Sequence, residues 1–546
     1  MQTSKTQTGV GISGGRVSGR LKFFRRNAVN RPSAGKNYDA RVEWSRLERA
    51  IASAGEEISR LYQRACASVG KEEAEIFQIH GMLLGDEDLL DALREEVGRG
   101  ACAEDALDAA VTRFARMLEN LGDPYLSARA ADMRDVSAHV GRALAGGQTK
   151  DEDSSEPFIL VADDLSPSET VTLDKSLILG FVTFGGTPNS HTAILARAMG
   201  IPAIVGIGKI EDGYDGTLAL LDAAEGILTL SPTEEQISVF SEKQRQDDRI
   251  AKAHDRYLRS LLNKPAVTRS GHRVLIYANI GDGSEIDAAL SGGADGIGLL
   301  RSEFLYLHSD NCPDEETLFA AYRDIAERMQ GKRTIIRTLD VGADKKIPYF
   351  GLPDEENPAL GFRAIRVCLA REDIFKPQLR AILRASAFGN LSLMLPMIVS
   401  VDEVRESRRL LSECMDELRR ENKQFDPRIE LGIMIETPAA VMMSEELAAL
   451  VDFFSVGTND LSQYTLAADR QNPALARLCE ENREPILRMI ALAAQSIHQR
   501  GGWIGICGEM AADLSLTQRW ADLGIDELSV STPYLLGVRG RVTECK

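Results

Sequence analysis

Two hydrophobic patterns divide the chain. From residue 265 onward, short apolar runs alternate with amphipathic segments, which is typical of a parallel sheet surrounded by helices. Eight such runs predict a (β/α)8 TIM barrel over residues 265–546. The runs are VLIYAN to Asn279, GIGLL to Leu300, TIIRTL to Leu339, LSLMLP to Pro396, LGIMI to Ile435, FFSV to Val456, WIGIC to Cys507 and ELSVS to Ser531.

The first half of the chain has a different pattern. Between Tyr38 and about Gly146 the apolar positions follow the helical period, and Leu47, Ile51 and Ile58 are spaced to share one face. These features predict a helical subdomain over residues 38–146. The flanking segments, 1–37 and 147–230, contain apolar runs that are typical of strands. We expect these distant segments to pair into one small α/β domain that the helical subdomain interrupts.

A polar segment joins the two halves. Thr233 and Gln236 have the Thr-x-x-Gln spacing of a capping box, which predicts that a helix begins there. Because a residue before proline is pushed away from helical geometry, we expect the helix to continue to just before Lys264. Residues 231–264 are therefore predicted to form a linker helix between domains.

The composition excludes several classes of protein. A chain of 546 residues is too long to fold around a single hydrophobic core, so we expect about three or four folding units. The chain contains no apolar run of membrane-spanning length and its start lacks the apolar core of a secretory signal, which predicts a cytoplasmic protein without direct membrane insertion. The eight cysteines are scattered, which favours reduced thiols. A net charge of -18 argues against nucleic acid and suits a neutral or basic partner.

Polar side chains follow the predicted barrel strands where those strands end. In such barrels the carboxyl ends of the strands build the active site. Any one of these residues, taken alone, would be read as an ordinary loop residue, but together they indicate a catalytic mouth. They are Arg301, Arg337, Asp340, Glu436, Asn459, Asp460, Cys507 and Glu509.

One histidine stands out in the first half. In FGGTPNSHTAILARAMGIPAIVG, His191 follows a glycine-containing loop and begins an apolar-periodic helix. The free N–H groups and the dipole at a helix N-terminus stabilise an anion, so a phosphoryl group on this imidazole would be favoured. A lone histidine is more commonly a cap or a core residue, and the spacing by itself raises the odds of a catalytic role only modestly.

The sequence around His191 resembles a known family. GGTPNSHTAILARAMGIPAIVG is similar to the phosphohistidine motif shared by enzyme I of the bacterial phosphoenolpyruvate:sugar phosphotransferase system and its dikinase relatives. The resemblance to the enzyme I family extends through IFQIHGMLLGDEDLL and YLSARAADMRDV to CGEMAAD near the end. It implies a swivelling phosphohistidine α/β domain with an inserted helical subdomain that binds the phosphocarrier protein HPr. A homodimer joined through the barrel is also implied.

The resemblance assigns roles to individual residues. It implies that His191 accepts the phosphoryl group, that Thr170 orients its ring, and that Cys507 protonates the enolate carbon as pyruvate forms. Glu436 and Asp460 resemble ligands of Mg²⁺, a hard ion that suits oxygen donors. The residues expected to bind phosphoenolpyruvate are Arg301, Arg337, Lys345, Arg363, Asn459 and Arg470.

The implied activity is phosphoryl transfer from phosphoenolpyruvate to His191 and then to HPr, the first step of sugar uptake by such a system. The main alternative is a pyruvate phosphate dikinase or phosphoenolpyruvate synthase, which would need an ATP-binding domain that the helical N-terminal region does not offer. Two further alternatives are a non-catalytic regulator that only binds a partner, and the nitrogen-related paralogue of enzyme I. Only Thr532 to Lys546 follow the eighth run, so we also expect the barrel to be incompletely closed.

Overall fold

The computed structural model describes most of the chain. The described residues are 4–24, 38–68, 71–120, 124–145, 156–163, 165, 169, 175–186, 190, 192–193, 196–197, 200–307, 309, 311–342, 347–353, 355–469, 472 and 475–546. They divide into two compact units, Met1–Ala251 and Lys252–Lys546.

The first unit contains a mixed sheet of eight strands in the order β1-β8-β7-β3-β4-β5-β6-β2. Strand β3 runs parallel to β4 and antiparallel to β7, so segments before and after the helical region share one sheet, as the sequence predicts. The strands are β1 Lys5–Thr8, β2 Val10–Ser13, β3 Arg16–Phe23, β4 Phe158–Ala162, β5 Ile178–Thr183, β6 Ala203–Val205, β7 Leu218–Asp222 and β8 Ile227–Leu230.

The helical region lies between β3 and β4. Leu47, Ile58 and Leu61 are buried and Ile51 packs against the same core, which confirms the predicted apolar face. The first helix packs on the second and fifth, and the fourth packs on the fifth. The helices are α1 Ala40–Ser68, α2 Lys71–Leu84, α3 Glu87–Gly98, α4 Ala103–Asn120 and α5 Pro124–Leu144.

The predicted capping box is present at the start of α6, Glu234–Arg259. The Thr233 amide donates to Gln236 Oε1 at 2.8 Å, and the Gln236 amide donates to Thr233 Oγ1 at 3.3 Å. The predicted end of the helix near Lys264 is wrong, because regular helix stops at Arg259. Beyond Arg259 the hydrogen bonds are of the 3₁₀ type, since the Leu262 amide donates to the carbonyl of Arg259, three residues earlier. No side chain of α6 is buried.

The second unit contains the predicted barrel. Each strand from β10 to β17 pairs in parallel with the next one in sequence. The last strand, β17, also pairs in parallel with the first, β10. The observed ends of β14 and β15 are the predicted ones, and the other six barrel strands end within one or two residues of the predicted positions. The strands are β9 Ala266–Val267, β10 Arg273–Ile280, β11 Gly296–Arg301, β12 Thr334–Arg337, β13 Leu391–Leu395, β14 Glu430–Ile435, β15 Phe453–Val456, β16 Trp503–Ile506 and β17 Glu527–Val530.

The expectation of incomplete closure is wrong. Closure requires only that the first and last strands pair, and here Leu275 lies opposite Glu527 while Ala278 lies opposite Val530. The helix after β17, Leu535–Glu544, then buries Leu535 in the core of the barrel unit. The short segment after the eighth strand therefore suffices to cover that part of the sheet.

Helices separate the barrel strands and cover their outer face. No helix among the described residues combines the length and apolar character needed to cross a bilayer. The helices are α7 Ile286–Ser291, α8 Glu303–Leu307, α9 Glu315–Arg328, α10 Ile365–Ala370, α11 Glu372–Ala385, α12 Val401–Arg420, α13 Pro438–Met442, α14 Ser444–Ala448, α15 Thr458–Leu466, α16 Ala476–Glu481, α17 Glu484–Gln499, α18 Thr517–Asp522 and α19 Leu535–Glu544.

Candidate active site

The carboxyl ends of the barrel strands form the candidate site, which we call the mouth. Arg301 ends β11 and Arg337 ends β12, and the two residues lie opposite each other in the parallel ladder. Arg337 is buried, whereas Arg301 is exposed. The two strands therefore place one fixed and one solvent-facing cation side by side.

Two buried carboxylates hold Arg337. Its Nη2 lies 2.5 Å from Glu303 Oε1 and its Nη1 lies 3.0 Å from Asp340 Oδ2. Burial opposes the charged guanidinium, but the charges of Glu303 and Asp340 outweigh it and raise the pKa of Arg337. The side chain is therefore a permanent cation in a single orientation, which suits recognition of phosphate oxygens.

Asp340 also holds a second arginine. Arg363 Nη2 lies 2.9 Å from Asp340 Oδ1, and Arg363 Nη1 lies 3.8 Å from Asp460 Oδ1. The backbone at Gly342, with φ +116°, makes this approach possible, because a Cβ there would lie 2.5 Å from the Arg363 Cβ. Asp340 thus bridges Arg337 and Arg363, and the two guanidinium groups are oriented by one carboxylate.

Glu436 and Asp460 follow adjacent strands, β14 and β15. Glu436 is buried, and its Oε1 accepts a hydrogen bond from the Met397 amide at 2.6 Å. Met397 has φ +55°, a conformation that non-glycine residues rarely adopt and that is common at functional sites. Burial, together with the charges of Asp460 and Asp340, raises the pKa of Glu436 to about 8. Crowded carboxylates of this kind are stabilised by a cation.

The donor set fits a divalent metal that is shared with a substrate. Among the residues that the structure describes, no group of three or more His, Cys, Asp or Glu side chains could hold an ion alone. Mg²⁺ commonly binds one or two carboxylates and takes its remaining ligands from waters and substrate phosphates. Glu436 and Asp460 would supply the two carboxylates, and the pKa of Glu436 is raised by burial and by neighbouring negative charge that such an ion would neutralise.

Two further predicted residues lie at the ends of β15 and β16. Asn459 Nδ2 donates to Glu509 Oε1, and Asn459 Oδ1 accepts from the Glu509 amide, both at 2.9 Å. Cys507 is buried, and its thiol lies 3.5 Å from the Val456 carbonyl. Burial raises the pKa of Cys507 to about 12, so the thiol keeps its proton at neutral pH. A protonated thiol can act as a general acid.

The described part of the mouth therefore unites several predicted residues, namely Arg301, Arg337, Arg363, Glu436, Asn459, Asp460 and Cys507. His191, Thr170, Lys345 and Arg470 lie outside the described residues. The sequence prediction assigned no role to Glu303 and only noted Asp340 at a strand end. Their spacing from the arginines, Arg301-x-Glu303 and Arg337-x-x-Asp340, is the signal that could have identified them.

Comparison with protein families covers most of the chain. Three family models match: "PEP-utilising enzyme, N-terminal" over residues 8–129, "PEP-utilising enzyme, mobile domain" over residues 154–226, and "PEP-utilising enzyme, PEP-binding domain" over residues 255–546. A solved structure described as enzyme I (nEIt) is 31% identical, covers 44% of this chain and 99% of its own, and has a TM-score of 0.39.

Curated relatives match over nearly the whole length. The phosphoenolpyruvate-protein phosphotransferase of Priestia megaterium is 39% identical over 93% of this chain and 88% of its own. The protein of the same name from Bacillus subtilis is 39% identical over 93% of this chain and 89% of its own. The resemblance predicted from the histidine motif is confirmed, and the chain belongs to the phosphoenolpyruvate-protein phosphotransferase family of PEP-utilising enzymes.

Proposed function

We propose that this protein transfers the phosphoryl group of phosphoenolpyruvate to His191 and from there to HPr. The observation that carries the proposal is the paired arrangement in the mouth: Arg337 and Arg363 fixed by one carboxylate, beside the crowded pair Glu436 and Asp460. Fixed cations suit an anionic substrate, and paired carboxylates suit its metal.

The substrate carries a phosphate and a carboxylate, and the mouth offers cations for both. Arg301 and Arg337 bind the phosphate, and the exposed position of Arg301 lets it close on a ligand. Arg363 and Asn459 contact the same ligand. Lys345 and Arg470, assigned by family resemblance, complete the set. Glu436 and Asp460 would hold Mg²⁺, which supplies charge neutralisation at the phosphate oxygens when bound.

The reaction balances without a further reagent. The imidazole nitrogen of His191 forms a bond to phosphorus as the bond from phosphorus to the enol oxygen breaks. Cys507 donates its thiol proton to C3 of the enolate, which gives pyruvate. Solvent returns a proton to the thiolate, and the proton that the imidazole releases to solvent balances it. Thr170 orients the ring through a hydrogen bond. Positioning and charge stabilisation supply most of the acceleration.

The partners follow from the same proposal. HPr docks on the helical subdomain of residues 38–146 and receives the phosphoryl group from His191, and the barrel joins two chains into a homodimer in the cytoplasm. The domain limits, 1–37 with 147–230, 231–264 and 265–546, are part of this proposal. The dikinase or synthase alternative is disfavoured, because the curated relatives over 93% of the chain are phosphoenolpyruvate-protein phosphotransferases.

Labelling with phosphoenolpyruvate carrying ³²P tests the proposal. With Mg²⁺ the full chain should become labelled, and peptide mass spectrometry should place the group on His191. His191→Ala should abolish labelling, whereas His254→Ala, which changes an exposed histidine on α6, should not. Label on another residue, or undiminished label in His191→Ala, would contradict the proposal. Formation of phosphoenolpyruvate from ATP, pyruvate and phosphate would favour the dikinase alternative instead.

A further inference from the structure

The backbone carbonyl of Cys507 is held in an unusual way. Strands β16 and β17 pair through Gly505 opposite Glu527 and Ile506 opposite Leu528, and the ladder ends there. The carbonyl of the next residue, Cys507, accepts a hydrogen bond from Asn279 Nδ2 at 3.1 Å. A side chain from β10, two strands away from β16, therefore supplies a hydrogen bond at the position where the regular ladder ends.

The amide of Asn279 is itself fixed by β17. Its Nδ2 also donates to the Ser529 carbonyl at 3.1 Å, and its Oδ1 accepts from Ser529 Oγ at 2.5 Å. The amide thus uses both of its ends in contacts with neighbouring strands. Such a fully engaged side chain has one orientation, and it links the mouth ends of β10, β16 and β17.

The other side of Cys507 is fixed by β15. The Cys507 amide donates to the Val456 carbonyl at 3.0 Å. Because the N–H and the C=O of Cys507 are both held, these two restraints set the direction of its Cα–Cβ bond, and the contact of the thiol with the Val456 carbonyl at 3.5 Å limits its χ1 rotation. The thiol is therefore aimed by the backbone, and Asn279 provides one of the two restraints.

We propose that Asn279 is a positioning residue that aims the Cys507 thiol at one face of the substrate's C3 carbon. The inference rests on the proposed role of Cys507 as proton donor. If the thiol is aimed, the proton should arrive on a single face of the enolate. If the thiol is less firmly oriented, proton transfer to C3 should slow and should lose its preference for one face, because small displacements of a reacting group have large kinetic effects.

Asn279→Asp is the sharpest change, since it keeps the shape of the side chain. An ionised carboxylate has no hydrogen to donate and would face the carbonyl oxygens of Cys507 and Ser529. We expect kcat for pyruvate formation to fall by about 10- to 100-fold, and KM for phosphoenolpyruvate to rise, because the new carboxylate at the mouth repels an anionic substrate. Ser529→Ala, which removes the bond to Oδ1 and a contact with Glu527 without adding a charge, should give a smaller loss of kcat at nearly unchanged KM.

The decisive readout is the chirality of the methyl group. Phosphoenolpyruvate labelled stereospecifically at C3 with deuterium and tritium is converted with Mg²⁺ and HPr in ordinary water, and the pyruvate is analysed. The wild-type chain should give chiral methyl, Cys507→Ala should give a racemic one, and Asn279→Asp should give a partly or wholly racemic one. Ser386→Ala is the control, because it removes buried hydrogen bonds near the start of β13, away from the mouth.

Each outcome decides something. Loss of chirality in Asn279→Asp, with retention in Ser386→Ala at a similar loss of thermal stability, supports the inference. Full chirality and wild-type kcat in a folded Asn279→Asp overturn it and leave Cys507 as donor. Should Asn279→Asp not fold, full chirality in Ser529→Ala with unchanged kcat overturns it equally. Retained chirality in Cys507→Ala would show that another group delivers the proton, which refutes the proposed role of the thiol itself.

Discussion

The mouth and the base of the barrel use charge in opposite ways. At the base, formed by the amino ends of the strands, Arg333 pairs with Glu430 at 3.0 Å and lies 4.9 Å from the ring centroid of Trp503. Trp503 in turn stacks on Phe453, with ring centroids 4.4 Å apart and planes at 8°. In this pair one cation meets one anion, and the Trp503 ring covers the cation.

At the mouth the charges are more deeply buried and less balanced. Asp340 serves two arginines at once, and the neighbouring Glu436 has its pKa raised to about 8 by burial and by nearby carboxylates. At the base Arg333 and Glu430 neutralise each other, whereas the mouth is the proposed site of a substrate and a metal. Equivalent substitutions should therefore change chemistry at the mouth and stability at the base.

The largest effect is expected from Arg337→Gln. This change removes a fixed cation from the proposed phosphate site, and single contacts of this kind support about 10³-fold in rate. Labelling of His191 by phosphoenolpyruvate should slow by that amount in single-turnover measurements. Circular dichroism should confirm that the chain remains folded, because Glu303 and Asp340 each lose one ion-pair contact.

Arg333→Gln is the matched control for that experiment. It makes the same chemical change at the base, at a residue just before β12 rather than at its end. Labelling should remain within about 2-fold of wild type, since a base contact does not touch the reacting groups. Equal losses in Arg333→Gln and Arg337→Gln would abolish the distinction between mouth and base.

Asp340→Asn should separate binding from catalysis. Loss of its negative charge reduces repulsion of an anionic substrate, so KM for phosphoenolpyruvate should fall or stay constant. The arginines that it orients, Arg337 and Arg363, should become less well placed, and kcat should fall by about 10-fold. Steady-state kinetics with HPr measure both. A raised KM with unchanged kcat would mean that Asp340 contributes only to substrate affinity.

The sequence predicts the barrel well for a physical reason. Each buried parallel strand is a short apolar run, and neighbours in sequence are neighbours in the sheet, so the runs ending near Ile435 and Val456 could be counted directly. The long-range side-chain partners could not be predicted. The contact of Asn279 with Cys507, past β17, depends on barrel closure, and the bridge from Asp340 to two arginines that are 26 positions apart depends on the path of the chain after β12.

The pH dependence of stability should reveal a buried acid at the base. Glu527 begins β17, and a Cβ at Gly505 would lie 1.8 Å from its Oε2, so its carboxyl packs against bare backbone. Burial raises the pKa of Glu527 well above its ordinary value. The folded chain therefore retains a proton that the unfolded chain has lost at neutral pH, and stability should fall as pH rises above about 4.5, by about 1.4 kcal/mol per unit.

Glu527→Gln removes this contribution, because an amide does not titrate. Urea unfolding of both chains at pH 5.5, 6.5 and 7.5 should show that the variant gains stability relative to wild type at each step. The gain should continue until the folded carboxyl itself ionises. Parallel pH profiles for the two chains would show that Glu527 is ionised in the folded barrel.

The smallest effect concerns the ion pair between Arg333 and Glu430 at the base of the barrel. The Arg333 side chain is 23% exposed and that of Glu430 is 32% exposed, so solvent weakens their attraction, and the contact with the Trp503 ring adds a modest amount. Arg333→Gln should lower the free energy of unfolding by about 1 kcal/mol.

A double-mutant cycle with Trp503→Phe isolates the ring contact, because phenylalanine keeps an apolar face but binds a cation less strongly. A coupling energy of about 0.5 kcal/mol is expected. A coupling near zero would mean that Glu430, and not the Trp503 ring, holds the Arg333 guanidinium in place.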